Sequence, residues 1–217
     1  MNKLISNFYS SVVSCKNTCL ECPGITNNHE EGILPRGFFT KCNPNEVDIL
    51  IVGKNPGHIL TQHEEAKFYQ NSDNRVLAVS EFTESLFLGS NPTTFHKNIN
   101  RYIRLFLNLS KNDSIFERVA LTNLVKCQFE GNEQDRLKMK TIKQCYDKFL
   151  KEEIALLNPK IIIALGREVE SFLQNQNIKI EIVYILHPSY YYSKKEEQEK
   201  LMSIKNHISF LLNNSND

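Results

Sequence analysis

Two sets of residues in this 217-residue chain have types and spacings suited to chemistry. The first is sulfur. Cys15, Cys19 and Cys22 crowd near the N-terminus, and Cys42, Cys127 and Cys145 follow. In a reducing compartment six cysteines are poor candidates for disulfides, so their spacing points to a metal site, with free buried thiols as the plainer reading. The second set is polar: Gly53-Lys54-Asn55-Pro56-Gly57, Thr122-Asn123 and His187-Pro188-Ser189. Taken singly, each is explained as a turn, because Asn, Pro and Gly are turn formers and His-Pro can end a strand. All three stand directly after a predicted strand, which chance explains less well.

The elements that must position these residues follow from apolar periodicity. Leu4, Ile5, Phe8, Val12 and Val13 predict an amphipathic helix ahead of the first cysteines. Val47 to Val52 reads as a buried strand, Arg118 to Val125 as a second and Lys160 to Leu165 as a third. Ile178, Ile180 and Ile182 alternate with charged residues before Val183 to Leu186, the pattern of a strand nearer a sheet edge. Between them, helices are expected over 64–69 and 80–88, along the Phe95, Ile99, Ile103, Phe106 stripe, along the Ile142, Tyr146, Phe149, Ile154, Leu157 stripe, after Gly166, and finally through Leu201, Ile204, Ile208 and Leu211. Strands alternating with helices imply an α/β fold, a three-layer α/β/α sandwich with a central, mainly parallel four-stranded sheet in one domain over residues 1–217. Such sheets place ligands at the carboxyl ends of their strands, where the three polar motifs stand.

Composition narrows the function classes. With 26 basic and 25 acidic residues the chain has no strong overall field, so any nucleic-acid site must be a local patch. The longest apolar stretches, Ile161 to Leu165 and Ile180 to Leu186, fall far short of the roughly 20 residues that span a bilayer. The N-terminus carries no signal-peptide pattern, and a cytoplasmic monomer is expected.

Over most of its length the chain resembles the uracil-DNA glycosylase superfamily, whose members carry a Gly-x-x-Pro-Gly-like loop after the first strand and His-Pro-Ser after the last. Thr122-Asn123-Leu124-Val125-Lys126-Cys127 is similar to the Asn-Val-Val-Lys-Cys segment of the superfamily's iron-sulfur class. Asn158-Pro159-Lys160 through Gly166 and His187-Pro188-Ser189-Tyr190 match that class as well. The first loop departs from it: Lys54 stands where that class has an acidic residue, and Asn55 resembles the mismatch-specific and single-strand-selective classes.

The resemblance implies a DNA glycosylase of base excision repair acting on uracil or a related deaminated base, in single- or double-stranded DNA. It makes Asn55 and His187 the catalytic pair: Asn55 orients the attacking water, and His187 donates to the departing base as negative charge develops on it. Asn123 reads one edge of a flipped pyrimidine, Phe95 stacks on it or belongs to the core, and Gly53, Lys54, Pro56, Gly57 and Ser189 complete the substrate site. Tyr190, Tyr191 and Lys194 are expected at the DNA, with Tyr192 and Lys195 beside them, although tyrosines after a strand are often packing residues. Cys19, Cys22, Cys127 and Cys145 match the ligands of a structural 4Fe-4S cluster, and zinc suits the same four thiolates by count. Cys15 and Cys42 remain as free thiols, or one of them replaces an assigned ligand. Two other readings stand beside this one: a noncatalytic DNA- or protein-binding member of the same fold, and a radical S-adenosylmethionine enzyme, whose Cys-x-x-x-Cys-x-x-Cys motif Cys15, Cys19 and Cys22 spell. The second leaves Cys127, Cys145 and His-Pro-Ser unexplained.

Overall fold

Five buried apolar residues in a row, Ile161–Leu165, form a strand covered on both faces, as expected of the interior of a parallel sheet. The computed structural model describes residues 3–15, 22–23, 25–26, 34–57, 74–89, 92–129, 137–189 and 194–214. In chain order the elements are α1 (Lys3–Val13), β1 (Ile25–Thr26), β2 (Ile49–Gly53), α2 (Arg75–Leu88), α3 (Thr94–Leu107), β3 (Val119–Asn123), β4 (Gln128–Phe129), α4 (Met139–Cys145), α5 (Lys151–Leu157), β5 (Ile161–Leu165), α6 (Arg167–Gln174), β6 (Glu181–Ile185) and α7 (Lys194–Asn214). A π-helical turn, Tyr146–Leu150, joins α4 to α5.

The main sheet has four strands in the order β3-β2-β5-β6. β2 runs parallel to β5 with Ile49 opposite Ile161, and β5 runs parallel to β6 with Ile161 opposite Glu181. Asp48 N–H donates to the Arg118 carbonyl, and further along Leu124 N–H donates to that of Gly53, so β3 advances in the same direction as β2. The expected α/β fold with a mainly parallel four-stranded sheet is therefore present. β6 is an edge strand that buries Val183 and Ile185; Ile178 and Ile180 of the expected alternation lie ahead of it, and Ile182 is half-buried, out of phase with the buried face. Sequence periodicity missed two elements: β1 and β4, two residues each, pair antiparallel and are too short to leave a pattern.

Packing gathers the chain into two compact units. One comprises Met1–Phe39, Gly53–Glu84 and Thr122–Leu156; the other comprises Thr40–Val52, Ser85–Leu121 and Leu157–Asp217. In the first, Phe8, Tyr9, Phe38 and Phe149 form an aromatic core, with the rings of Phe8 and Phe38 stacked at 5.9 Å. In the second, α6 packs on β5 and β6, while α7 packs on α3 and β5. Helix ends are set locally. Thr93 caps α3, which closes on Asn108 in the left-handed region at φ 52°. α5 ends before Asn158, at φ 41°, and Pro159 bars its continuation. Gly166, at φ 93°, makes the turn from β5 into α6 that L side chains rarely adopt. α2 is longer than the expected 80–88, and the helix expected over 64–69 lies outside the described residues. Among the described residues no helix is long and apolar enough to cross a membrane.

Candidate active site

The first polar motif begins where β2 ends. Backbone pairing continues past the strand termini, with Leu124 N–H donating to Gly53 O at 2.8 Å and Val125 N–H to Lys54 O at 3.0 Å. Both loops therefore start from fixed positions. Gly53 is required by close approach: a Cβ there would come within 2.5 Å of the Asn123 side-chain oxygen. Asn55, half-buried, donates from Nδ2 to the Pro56 carbonyl at 2.9 Å, which turns its carboxamide. Its Oδ1 accepts no hydrogen bond among the described residues and is available as an acceptor. Lys54 is half-buried, Pro56 buried and Gly57 exposed.

Beneath Asn123 lies a charged network that sequence reading did not single out. Lys126 and Glu153 have fully buried side chains joined at 2.6 Å. Lys126 Nζ also donates to Thr122 Oγ1 and to the Asn123 carbonyl, both at 2.7 Å, while the Thr122 hydroxyl donates to Glu153 at 2.7 Å. Burial raises the Glu153 pKa, and the Lys126 ammonium and the Thr122 hydroxyl oppose that rise. A signal was present: Glu153 sits four residues after Phe149 and four before Leu157, on the buried stripe of its helix, where an acid needs a partner.

In the other unit, α3 and the loop after β6 bring Phe95 and His187 together. Their ring centroids are 5.4 Å apart with a 32° tilt. Asn98, one turn along α3, donates to the Pro188 carbonyl at 2.7 Å and holds the His-Pro-Ser loop against the helix. Phe95 is half-buried beside His187 and lies outside the core that Ile99, Ile103 and Phe106 enter. The Ser189 backbone N–H donates to His187 Nδ1 at 3.3 Å, so the neutral ring carries its proton on Nε2. Burial lowers the His187 pKa and favours that neutral form. Tyr190 and Tyr191 lie outside the described residues, and Lys194 opens α7 with its side chain undescribed.

The family model of the uracil DNA glycosylase superfamily matches residues 39–208, a span that holds all three polar motifs. The chain belongs to that superfamily. A comparison with curated proteins finds no match. Superfamily membership supports, at the general level, a hydrolase that acts as a DNA glycosylase. The span also contains Cys127 and Cys145 but begins after Cys15, Cys19 and Cys22.

The described cysteines of this glycosylase-superfamily chain are in no disulfide. Cys15, Cys22, Cys127 and Cys145 are all buried in one unit. Burial raises the Cys127 thiol pKa, with the neighbouring Cys145, Cys15 and Cys22 adding to the rise and Lys148 opposing it. The β1–β4 pairing and a 3.1 Å bond from Thr141 to the Pro23 carbonyl tie the Cys22 segment to the segments bearing Cys127 and Cys145. Buried, convergent soft donors fit thiolate-bound iron-sulfur or zinc. Among the described residues no three His, Cys, Asp or Glu side chains already form a coordination shell, and Cys19 lies outside them. Cys15, expected as a free thiol or as a replacement for an assigned ligand, is buried with this group, with Lys148 Nζ 3.4 Å from its sulfur. Cys42 is in the other unit, 3.0 Å from Thr40 Oγ1.

Proposed function

We propose that the protein is a monofunctional DNA glycosylase of base excision repair that hydrolyses the N-glycosidic bond of uracil, or a related deaminated base, in DNA. The observation that carries this reading is the state of His187: half-buried, favoured neutral, with Nδ1 engaged by Ser189 and Nε2–H left as a donor. Breaking an N-glycosidic bond places negative charge on the departing base, and a fixed donor aimed at that charge lowers the barrier. Phe95, against the same imidazole, offers a ring face for a flipped base. In this reading Asn123 supplies a donor and an acceptor to one pyrimidine edge, and Gly53 leaves the space its amide occupies. Asn55 Oδ1 orients the attacking water; an amide is too weak a base to do more, which suits a dissociative reaction. Ser189 contacts a backbone phosphate. Cys19, Cys22, Cys127 and Cys145 would hold a 4Fe-4S cluster, which supplies folding energy and takes no part in the hydrolysis.

The test is excision from a single-stranded oligonucleotide carrying one uracil, read as alkali-sensitive strand cleavage. Wild type should cleave, and His187→Ala should fall by about 100- to 1,000-fold, the usual cost of losing one such donor. Asn55→Ala should also fall by orders of magnitude. Cluster-loaded wild type that fails to cleave would reject uracil excision from this substrate and favour another damaged base or a noncatalytic DNA-binding role.

A further inference from the structure

The helix that carries Phe95 has a second, basic feature. A cavity of about 360 Å³ is lined by Phe87, Pro92, His96, Lys97, Asn100, Arg101 and Arg104, with no carboxylate in its wall among the described residues. Its volume is in the range of small-ligand sites, roughly 300–1,000 Å³. Phe87 forms an apolar floor, buried and edge-on to both Phe116 at 5.0 Å and His96 at 4.6 Å. The arginines are held from behind. Arg104 donates from Nε to Asn100 Oδ1 at 2.6 Å and from Nη1 to the Ser110 carbonyl. Arg101 donates from Nη2 to Glu197 at 2.6 Å and to Asn98 at 3.4 Å. Each guanidinium has five N–H donors, so this backing fixes its direction and leaves donors for a ligand. Glu197 offsets Arg101, whereas Lys97 and Arg104 make no ion pair among the described residues.

We propose that this pocket binds the phosphodiester backbone of the DNA strand that flanks the damaged nucleotide, an inference that rests on the DNA-glycosylase reading. The whole chain has a formal charge of +1, so attraction to a polyanion has to come from a local concentration of this kind. The position suits it. Phe95 and His96 are neighbours on the first turn of α3, one facing His187 and the other the pocket. From Phe95 to Arg104 the helix rises by about 14 Å. At the duplex rise of about 3.4 Å per nucleotide, that corresponds to roughly four nucleotides of a stacked strand. The pocket thus makes sequence-independent contacts that set the register of the strand without reading it.

The experiment measures full-length protein binding to an undamaged single-stranded oligonucleotide across a salt series, comparing wild type with Lys97→Ala/Arg104→Gln and with Lys97→Glu. Lys97 is exposed, so the second variant tests the pocket without disturbing the backing of Arg104. The double variant should bind more weakly at every sequence tried, and its slope of log K against log salt should fall in magnitude by about 1.4, about 0.7 per lost cation for single strands. On a uracil oligonucleotide KM should rise with kcat unchanged. Both effects should vanish on a substrate trimmed to one nucleotide on each side of the uracil. Unchanged slope and KM in variants of a wild type that binds and excises would overturn the pocket and leave the glycosylase reading intact. A wild type that neither binds nor excises overturns both.

Discussion

Lys126 has three ammonium donors, and the structure gives each an acceptor: Thr122, the Asn123 carbonyl and Glu153. A fully buried ion pair of this kind contributes little net stability by itself, but it makes loss of either partner costly. Lys126→Met should destabilise the protein by about 3–5 kcal/mol in urea unfolding, because Glu153 is left charged and buried. Pairing it with Glu153→Leu should recover much of that loss; a double variant as unstable as the sum of the singles would contradict the argument. His187 makes a second prediction, about pH. Burial holds its folded pKa below 6.5, so as pH falls the unfolded chain takes up this proton first. Its contribution to stability is complete at neutral pH and is lost as pH drops below about 6.5 toward the depressed value. Thermal unfolding of wild type should show this decline, and His187→Gln should flatten it; identical pH profiles would refute the assignment. The placement of Asn55, Asn123 and His187 at or just past strand ends was legible in the sequence, while the roles proposed for them come from the family resemblance. The Lys126–Glu153 pair was not, because its partners come from a loop and a helix far apart in sequence.

At the scale of elements, Asp48 ties the start of the sheet together. It immediately precedes β2, its carboxylate pairs with Arg118 ahead of β3 and, at 3.2 Å, with Lys160 ahead of β5, and its carbonyl accepts from the Lys160 and Ile161 amides. Its side chain is 10% exposed, so the charge is largely desolvated. Asp48→Ala should reduce stability by about 1 kcal/mol, since the cations it leaves, Arg118 and Lys160, are 48% and 35% exposed and rehydrate. Excision at saturating substrate should be unchanged, since Asp48 stands at the amino ends of strands whose carboxyl ends carry the motifs. A fall in kcat without a fall in Tm would contradict this. Strand order was not legible: the apolar runs show which segments are strands but say nothing of their neighbours. Only the edge position of β6 had a signature, in the charged residues that interrupt the apolar pattern leading into it.

For the whole molecule, the cysteines matter most. Cys15 and Cys145 lie at opposite ends of the sequence that forms one unit, yet their thiols are buried together with Cys22 and Cys127. The proposed cluster would join these distant segments and make metal affinity part of folding energy. Cys127→Ser should lose the brown absorbance and the bound iron and lower the Tm. A stable, colourless wild type containing zinc would overturn the iron assignment while keeping the thiolate site. By itself the sequence determined the α/β class, the four strands of the main sheet and the motifs at their ends, because periodicity and turn chemistry are local properties, and the order of those motifs carried the resemblance to the superfamily. Tertiary structure alone decided that Cys15 joins the other buried thiols and that Lys126 and Glu153 pair beneath Asn123. Each of these depends on which distant segments meet in space, and residue spacing along a chain does not encode those meetings.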